Sequence, residues 1–341
     1  MKKTTMQDIA DALNISRVTV WKVFSRRDGV SEDLQNKIIA KALELGYEVP
    51  EDLREQKKAP AQQEQYTISV TVSRPETSVF WTSIIHKIAK EASRHNVNLM
   101  YIYLPSNIQP DYELPQALTN GTVQGMIVLN VYNEDLIRKL SALDMPKVFM
   151  DTATRIPFRS LNGDLLLIEG KSCIEEITNE LIRRGKTRIG FIGDINYAQT
   201  NYERYRGFVH AMEEHNLPIL PENCMTGSFG MDTYANEIHD FLDGLDVMPE
   251  AFICVSDYVA SLLGIELDAR GYRIPEDIAI SGFDGNTEFP GVSELTTVQV
   301  HNSELGIRLV RQLIYRMTYP NSCSEICYLC SDVVFKHSTE C

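Results

Sequence analysis

Long apolar runs are missing from this chain: nowhere do about 18 apolar residues follow one another, as a bilayer-spanning helix requires. No apolar signal segment stands at the N-terminus, so the expectation is a cytoplasmic protein with no membrane contact. Cysteine is sparse and odd in number, seven in all, which excludes a fully paired disulfide framework and fits reduced thiols. Cys323, Cys327 and Cys330 invite a metal reading. Ser324 to Phe335 reads as one strand, however, where Cys327 and Cys330 point to opposite faces, and a closed zinc site needs a fourth ligand. No metal and no cofactor are expected. Catalytic signatures are missing too: there is no His-Glu-x-x-His, no Gly-x-Ser-x-Gly, no P-loop and no Gly-x-Gly-x-x-Gly after a strand. His210 and His215, five apart, do not share a helix face and read as surface residues. No catalytic residue is assigned, and an enzyme is the least supported class.

Positive charge is scarce and unevenly placed. The 341 residues carry 33 Lys and Arg against 47 Asp and Glu. Up to Pro60 the balance is +1; over the remainder it is −15. A body this acidic does not attract phosphates and discourages nonspecific adhesion of everything except the N-terminal module. The length exceeds the usual single core, so two or three domains are expected.

Met1 to Pro50 reads as a compact helical module. Thr5-Met6-Gln7-Asp8 is a helix start, Ile9, Ala10 and Leu13 form an apolar stripe, and Asn14 suits a left-handed stop. Ser16 caps a second helix. Val20, Val23 and Phe24 fall on its buried face, while Arg17 with Trp21 and Val18 with Lys22 pair on the other. Ser31 opens a third helix with Leu34, Ile38, Ile39, Ala42 and Leu45 as its core stripe and Gly46 as its stop. Two short helices joined by a tight turn, with Arg17, Val18 and Lys22 on the free face of the second, suit a DNA major groove, where Arg and Lys read guanine edges. A three-helix bundle for protein contacts, with Arg17 and Lys22 as solvated charges, fits the pattern as well.

From Tyr66 the chain alternates strand-like and helical stretches. Thr67 to Val72, Asn98 to Tyr103, Gly125 to Leu129 and Lys147 to Met150 read as strands, with helices starting near Ile84, Tyr112 and Glu134. A second series has strands at Arg188 to Ile192, Ala251 to Val255 and Ala279 to Phe283, with helices from about Ile174, Glu203, Thr233 and Tyr258. Two βα series predict two parallel-sheet lobes with ligand-facing loops at the strand C-termini.

Thr5-Met6-Gln7-Asp8-Ile9-Ala10, Asn14-Ile15-Ser16-Arg17-Val18-Thr19-Val20-Trp21-Lys22-Val23-Phe24, Gly29-Val30-Ser31 and Leu45-Gly46-Tyr47 resemble the headpiece of the lac repressor (LacI/GalR) family. The resemblance implies that Arg17, Val18 and Lys22 face bases while Thr5, Ser16, Thr19 and Ser31 hold phosphates. Trp21 departs from it, standing where a small Ser is usual. The likeness continues through Glu203-Arg204-Tyr205-Arg206-Gly207-Phe208, Cys254-Val255-Ser256-Asp257, Ile280-Ser281-Gly282-Phe283-Asp284, Leu295-Thr296-Thr297-Val298 and the closing Phe335-Lys336-His337-Ser338-Thr339. It implies an all-α helix-turn-helix headpiece (1–50), a hinge (51–65) and an α/β periplasmic-binding-protein-like body of two parallel-sheet lobes (66–341). The chain would cross between lobes near Leu161, Val292 and Ser322. Lobe 1 would then hold about 66–161 plus 293–322, and lobe 2 about 162–292 plus 323–341.

Within the cleft the family places ligand contacts at Arg204 and Asp284, whose donor fork and paired acceptors suit adjacent sugar hydroxyls. Phe80, Trp81 and Phe229 stand at or near positions of rings or bulky groups, on which carbohydrate C–H faces pack. Asn130 and Asp151, at strand ends, are further candidates. Ser256 replaces a common Asn and makes fewer hydrogen bonds. Arg204 pairing with a nearby acid, and Phe80 or Trp81 as lobe core, are the structural alternatives.

The hinge departs most. Where the family carries Ala and then an apolar Leu that wedges into the minor groove, this chain has Arg54 and Lys57, with Leu53 left for packing. A cationic Lys57 suits a phosphate better than a base step, so weak operator bending is expected. The combined expectation is a homodimeric repressor of double-stranded operator DNA, controlled by a small effector, a carbohydrate by chemistry; the runner-up is a cytosolic small-molecule sensor or binding protein with weakened or lost DNA binding.

Overall fold

The computed structural model describes residues 4–25, 27, 29–47, 49, 66–73, 79–230, 233–286, 290–292 and 294–340. The chain forms two compact units, 1–65 and 66–341. The hinge residues Leu53, Arg54 and Lys57 lie outside the described residues. Among the described residues, no helix is long and apolar enough to cross a membrane.

The first unit holds α1 (Met6–Leu13), α2 (Arg17–Phe24) and α3 (Glu32–Glu44). Local chemistry sets each boundary. Thr5 and Asp8 form a reciprocal capping box, the Thr5 amide donating to Asp8 Oδ2 at 2.7 Å. Asn14, at φ 54°, reverses the chain, and the Ile15 amide returns to the Ala10 carbonyl at 3.0 Å. Ser16 accepts from the Thr19 amide at 3.1 Å and starts α2. Ile9, Ala10, Val20, Val23, Ile38, Ile39 and Ala42 close the core. Leu45 leaves the predicted stripe and is exposed, because α3 ends there and Gly46 turns the backbone at φ 71°. Phe24 stays half-buried, stacked on Tyr47 at 5.3 Å.

The second unit is built on parallel sheets. Its first sheet comprises β1 (Thr67–Val72), β2 (Asn98–Tyr103), β3 (Gly125–Leu129), β4 (Lys147–Met150), β5 (Asp164–Ile168) and, from much later in the chain, β11 (Ile326–Leu329). Their order is β2-β1-β3-β4-β5-β11, and every pairing is parallel. The helices of this part are α4 (Val79–Arg94), the single turn α5 (Gln116–Thr119) and α6 (Glu134–Ser141). The helix predicted near Tyr112 is reduced to α5, which Pro115 precedes. The second sheet, in the order β7-β6-β8-β9, contains β6 (Ile189–Ile192), β7 (Cys224–Met225), β8 (Ala251–Cys254) and β9 (Ala279–Ser281). Its helices are α7 (Lys171–Arg183), α8 (Gln199–Glu214), α9 (Tyr234–Asp243) and α10 (Asp257–Ala269). α11 (Asn302–Thr318) returns to the first lobe against α4, and β10 (Thr297–Gln299) pairs antiparallel with β12 (Asp332–Val334) between the lobes' segments.

Two crossings differ from their expected positions. β5 pairs with β4 and β11 pairs with β5, so the chain leaves the first lobe after Ile168 rather than near Leu161, and again after Leu329 rather than near Ser322. Leu165 to Ile168 is an apolar run buried on both faces, as an interior parallel strand requires. Buried Asp164 stitches it in place, accepting from Gln312 Nε2 at 2.7 Å and the Glu325 amide at 2.9 Å. The middle crossing lies between β9 and α11, a span that includes Val292. Ser324 to Phe335 is not one strand: β11 and β12 belong to different sheets, separated at Cys330 and Ser331.

Candidate functional site

On the first unit, α2 turns a solvated face outward. Arg17 is exposed, Val18 is 61% and Trp21 46% exposed, and Lys22 is half-buried with its amine near Gly29. The hydroxyls of Ser16 and Thr19 lie 2.8 Å apart at the helix start, beside Arg17. Thr5 caps α1, and Ser31 stands at the N-cap of α3 without a side-chain bond to it. Two cations, two small hydroxyls and an apolar Val18 on one short helix can contact phosphates and base edges together.

In the second unit, strand order positions the cleft residues. In each sheet the order reverses at one point, between β1 and β3 and between β6 and β8, and such points open a crevice at the strand C-termini. Asn130 directly follows β3, Asp151 follows β4, and Ser256 and Asp284 follow β8 and β9 within three residues. Asn130, Asp151 and Asp284 have φ of 53°, 65° and 115°, left-handed values that turn the chain sharply where the strands end.

Arg204, on α8, is the electrostatic centre. It is 6% exposed. Its Nη1 donates to the Val255 carbonyl at 2.5 Å, and its guanidinium lies 3.6 Å over the Phe283 ring. Its Nε, also buried, has no protein hydrogen-bond partner. Burial pushes its pKa down, against the pull of Asp284, Asp151, Tyr132 and Asp257. The carboxyl groups of three acids therefore act electrostatically on one buried guanidinium. Burial raises all three carboxyls: Asp284 to about 8 and Asp257 to about 6, with Arg204 opposing both. Asp284 is also raised by Asp257 beside it.

Asp151 is already fully used by the protein. Its carboxylate accepts from Thr200 Oγ1 at 2.5 Å, Tyr132 Oη at 3.2 Å, the Thr152 amide at 2.8 Å and the Thr200 amide at 3.3 Å. Thr200 lies in the first turn of α8, so these bonds tie the first lobe to the second. The Gln199 amide reaches the Thr152 carbonyl at 2.8 Å, Tyr328 Oη donates to Glu203 at 2.9 Å, and the Tyr132 and Tyr197 rings meet at 4.2 Å. The lobes are thus held together by polar bonds that do not involve a ligand.

The other candidates are dispersed. Phe80 is buried in the apolar core, with Trp81 edge-on to it at 5.1 Å. Phe229 heads a row of rings, 5.1 Å from Tyr234, which stands 6.1 Å from Tyr258. Ser256 spends its hydroxyl capping α10, accepting from the Val259 amide at 3.3 Å. The structure brings Arg204, Asp151 and Asp284 together and adds Tyr132, Thr200, Asp257 and Phe283, which sequence patterns do not single out. Only Asp257 and Phe283 have a local signal, as neighbours of Ser256 and Asp284. Among the described cysteines, Cys173 donates to the Ser331 carbonyl at 3.5 Å, and burial pushes its thiol up to about 12.

A family model described as a periplasmic binding protein-like domain matches residues 178–339. The chain is 26% identical over 339 residues to the HTH-type transcriptional repressor PurR of Histophilus somni (strain 129Pt), covering 98% of this chain and 99% of that protein. Among solved structures, a transcriptional regulator CelR-cellobiose complex aligns with a TM-score of 0.70 at 21% identity, covering 98% of this chain and all of that one. The lac repressor dimer bound to operator and the anti-inducer ONPF aligns at 0.66 and 18% identity, over 99% of both chains.

Proposed function

Because this chain belongs to the lac repressor (LacI/GalR) family, we propose that it is a DNA-binding transcriptional repressor whose second unit senses a neutral carbohydrate between its lobes. The observation that carries the sensing half is the meeting of Arg204 with Asp284 and Asp151 at strand ends of two different sheets. With Asp284 holding its proton up to about 8 and Asp151 engaged by the protein, an uncharged polyol suits the site: its hydroxyls accept from Arg204 and exchange hydrogen bonds with the Asp284 carboxyl. The half-buried Tyr132–Tyr197 pair offers apolar faces for its C–H groups. Arg17, Val18 and Lys22 read the operator, with Thr5, Ser16, Thr19 and Ser31 on phosphates; the protein works as a cytoplasmic homodimer and catalyses nothing.

A ligand that bonds Arg204 competes for the field that Asp151 supplies, so occupancy biases the Asp151–Thr200 bond and with it the lobe arrangement. The test has two arms. A thermal-shift screen over neutral sugars, sugar phosphates and purine bases is expected to respond to a neutral sugar, since a ligand of the folded state raises stability by mass action. In gel-shift assays with DNA from the gene's own neighbourhood, that sugar is expected to change affinity, and Asp284→Asn to abolish the change while sparing sugar-free binding. A response to sugar phosphates or purines alone refutes the ligand class. Failure to bind DNA selectively refutes the repressor and leaves a sensor.

A further inference from the structure

We propose that Glu175, His210 and Glu214 form a site for a divalent transition-metal ion of the zinc class, on the outer side of the second lobe. His210 lies six residues beyond Arg204 on α8, about 9 Å along the helix axis and outside the effector cleft. Its Nδ1 stands 3.2 Å from Glu175 Oε1 and 3.9 Å from Glu214 Oε2, and the three donor atoms lie within 4.8 Å of one another. Ligands at about 2.0–2.2 Å from a common ion are roughly 3.0–3.6 Å apart, so a modest rotation of the exposed Glu214 closes the set.

Nδ1 is covered from solvent, and no acceptor lies within its hydrogen-bond geometry, Glu175 included. With the ring proton on Nε2, one nitrogen lone pair and two carboxylates converge on a single point that calls for a cation. The scaffold is rigid. A Cβ on Gly207 would collide with the Lys171 carbonyl, so α7 and α8 touch backbone to backbone about one turn before Glu175 and His210. One turn further on, His215 Nε2 and Asn179 Oδ1, 3.1 Å apart, join the same helices. His210 and Glu214 share a helix face by their i,i+4 spacing, and Glu175 comes from the neighbouring helix. An imidazole with two carboxylates favours zinc, cobalt or nickel over calcium and magnesium, which prefer oxygen alone; water completes the shell. The bound ion clamps α7 to the helix that carries Thr200, Glu203 and Arg204 to the cleft.

The test uses the full chain, free of any affinity tag and kept reduced. Co²⁺ is expected to give visible d–d bands without thiolate charge-transfer absorption, and Zn²⁺ to displace it. A tenfold excess of Zn²⁺ over its Kd should raise Tm by about 2–5 °C. His210→Ala and Glu175→Gln should each weaken binding at least about tenfold, while their metal-free melting, being changes at a half-exposed site, stays near the native value. Unchanged affinity in both variants overturns the assignment. So does charge-transfer absorption, which would mark exposed Cys323 and Cys330 as the donors, or no uptake at about 1 mM metal.

Discussion

The two units present their functional side chains in opposite ways. On the first, Arg17, Val18 and Trp21 stand in solvent, while helix caps and a small apolar core hold the fold without them. In the second, Arg204, Asp151 and Asp257 are buried and carry part of the structure themselves. The difference is physical. A surface that meets DNA works through charges that stay hydrated until phosphates replace the water. A cleft that discriminates small polar ligands needs desolvated groups, whose interactions are strong because competing water is gone. Substitutions in the first unit should therefore change binding alone, and those in the second should change binding and folding together.

The largest expected effect is at Arg204. Arg204→Met removes the bond to the Val255 carbonyl and the contact with Phe283, and leaves the carboxyl groups of Asp151, Asp257 and Asp284 without the cation that favours their ionised forms. It should destabilise the body by about 2–4 kcal/mol and abolish effector response, as chemical denaturation and thermal shift would show. Native stability in this variant would show that Arg204 does not help hold the body together.

Next comes Arg17. Arg17→Ala should weaken binding to the cognate operator by about 1–3 kcal/mol and relax discrimination at one base pair, with Tm unmoved. Thr19→Ala should weaken all sequences alike, since its hydroxyl sits with that of Ser16 at the helix start. Equal losses for Arg17→Ala on specific and random DNA would remove it from base reading.

The pH response is smaller and belongs to the second unit. Asp257 and Asp284 hold their protons up to about 6 and about 8 when folded, above the usual unfolded value of about 3.9. The folded state binds more protons across that window. The stability these groups contribute is complete below pH about 4 and is lost as pH rises through their folded values. Melting temperature of the ligand-free protein should fall between about pH 5 and 8.5, and Asp284→Asn should flatten the upper part. A profile parallel to the native one would show that Asp284 does not carry the upper part of the pH response.

The smallest effect concerns the segment between the units. Lys57→Leu should increase operator bending in a circular-permutation gel at a symmetric site with a central pyrimidine–purine step, because an apolar wedge offsets unstacking and a lysine does not. Strong bending by the native protein, unaltered by Lys57→Ala and Leu53→Ala, would show that the departure is without consequence.

What was legible in the sequence follows the range of the forces involved. The headpiece is written in short-range chemistry: Thr5 with Asp8, Ser16 with Thr19, and the left-handed Asn14 act over a few residues. The βα alternation of the body is equally local, and most strand positions follow from it. The sequence by itself therefore determined the helix-turn-helix unit, the parallel-sheet class and the strand ends on which Asn130, Asp151 and Asp284 lie. Tertiary structure alone decided where the lobes divide and what each cleft group touches. β11 joins β5 across some 160 residues of chain, and Asp151 meets Thr200 across 49. No periodicity records such pairings: an apolar strand such as Leu165 to Ile168 can enter either sheet, and a buried carboxylate takes whichever donors the assembled lobes bring within reach.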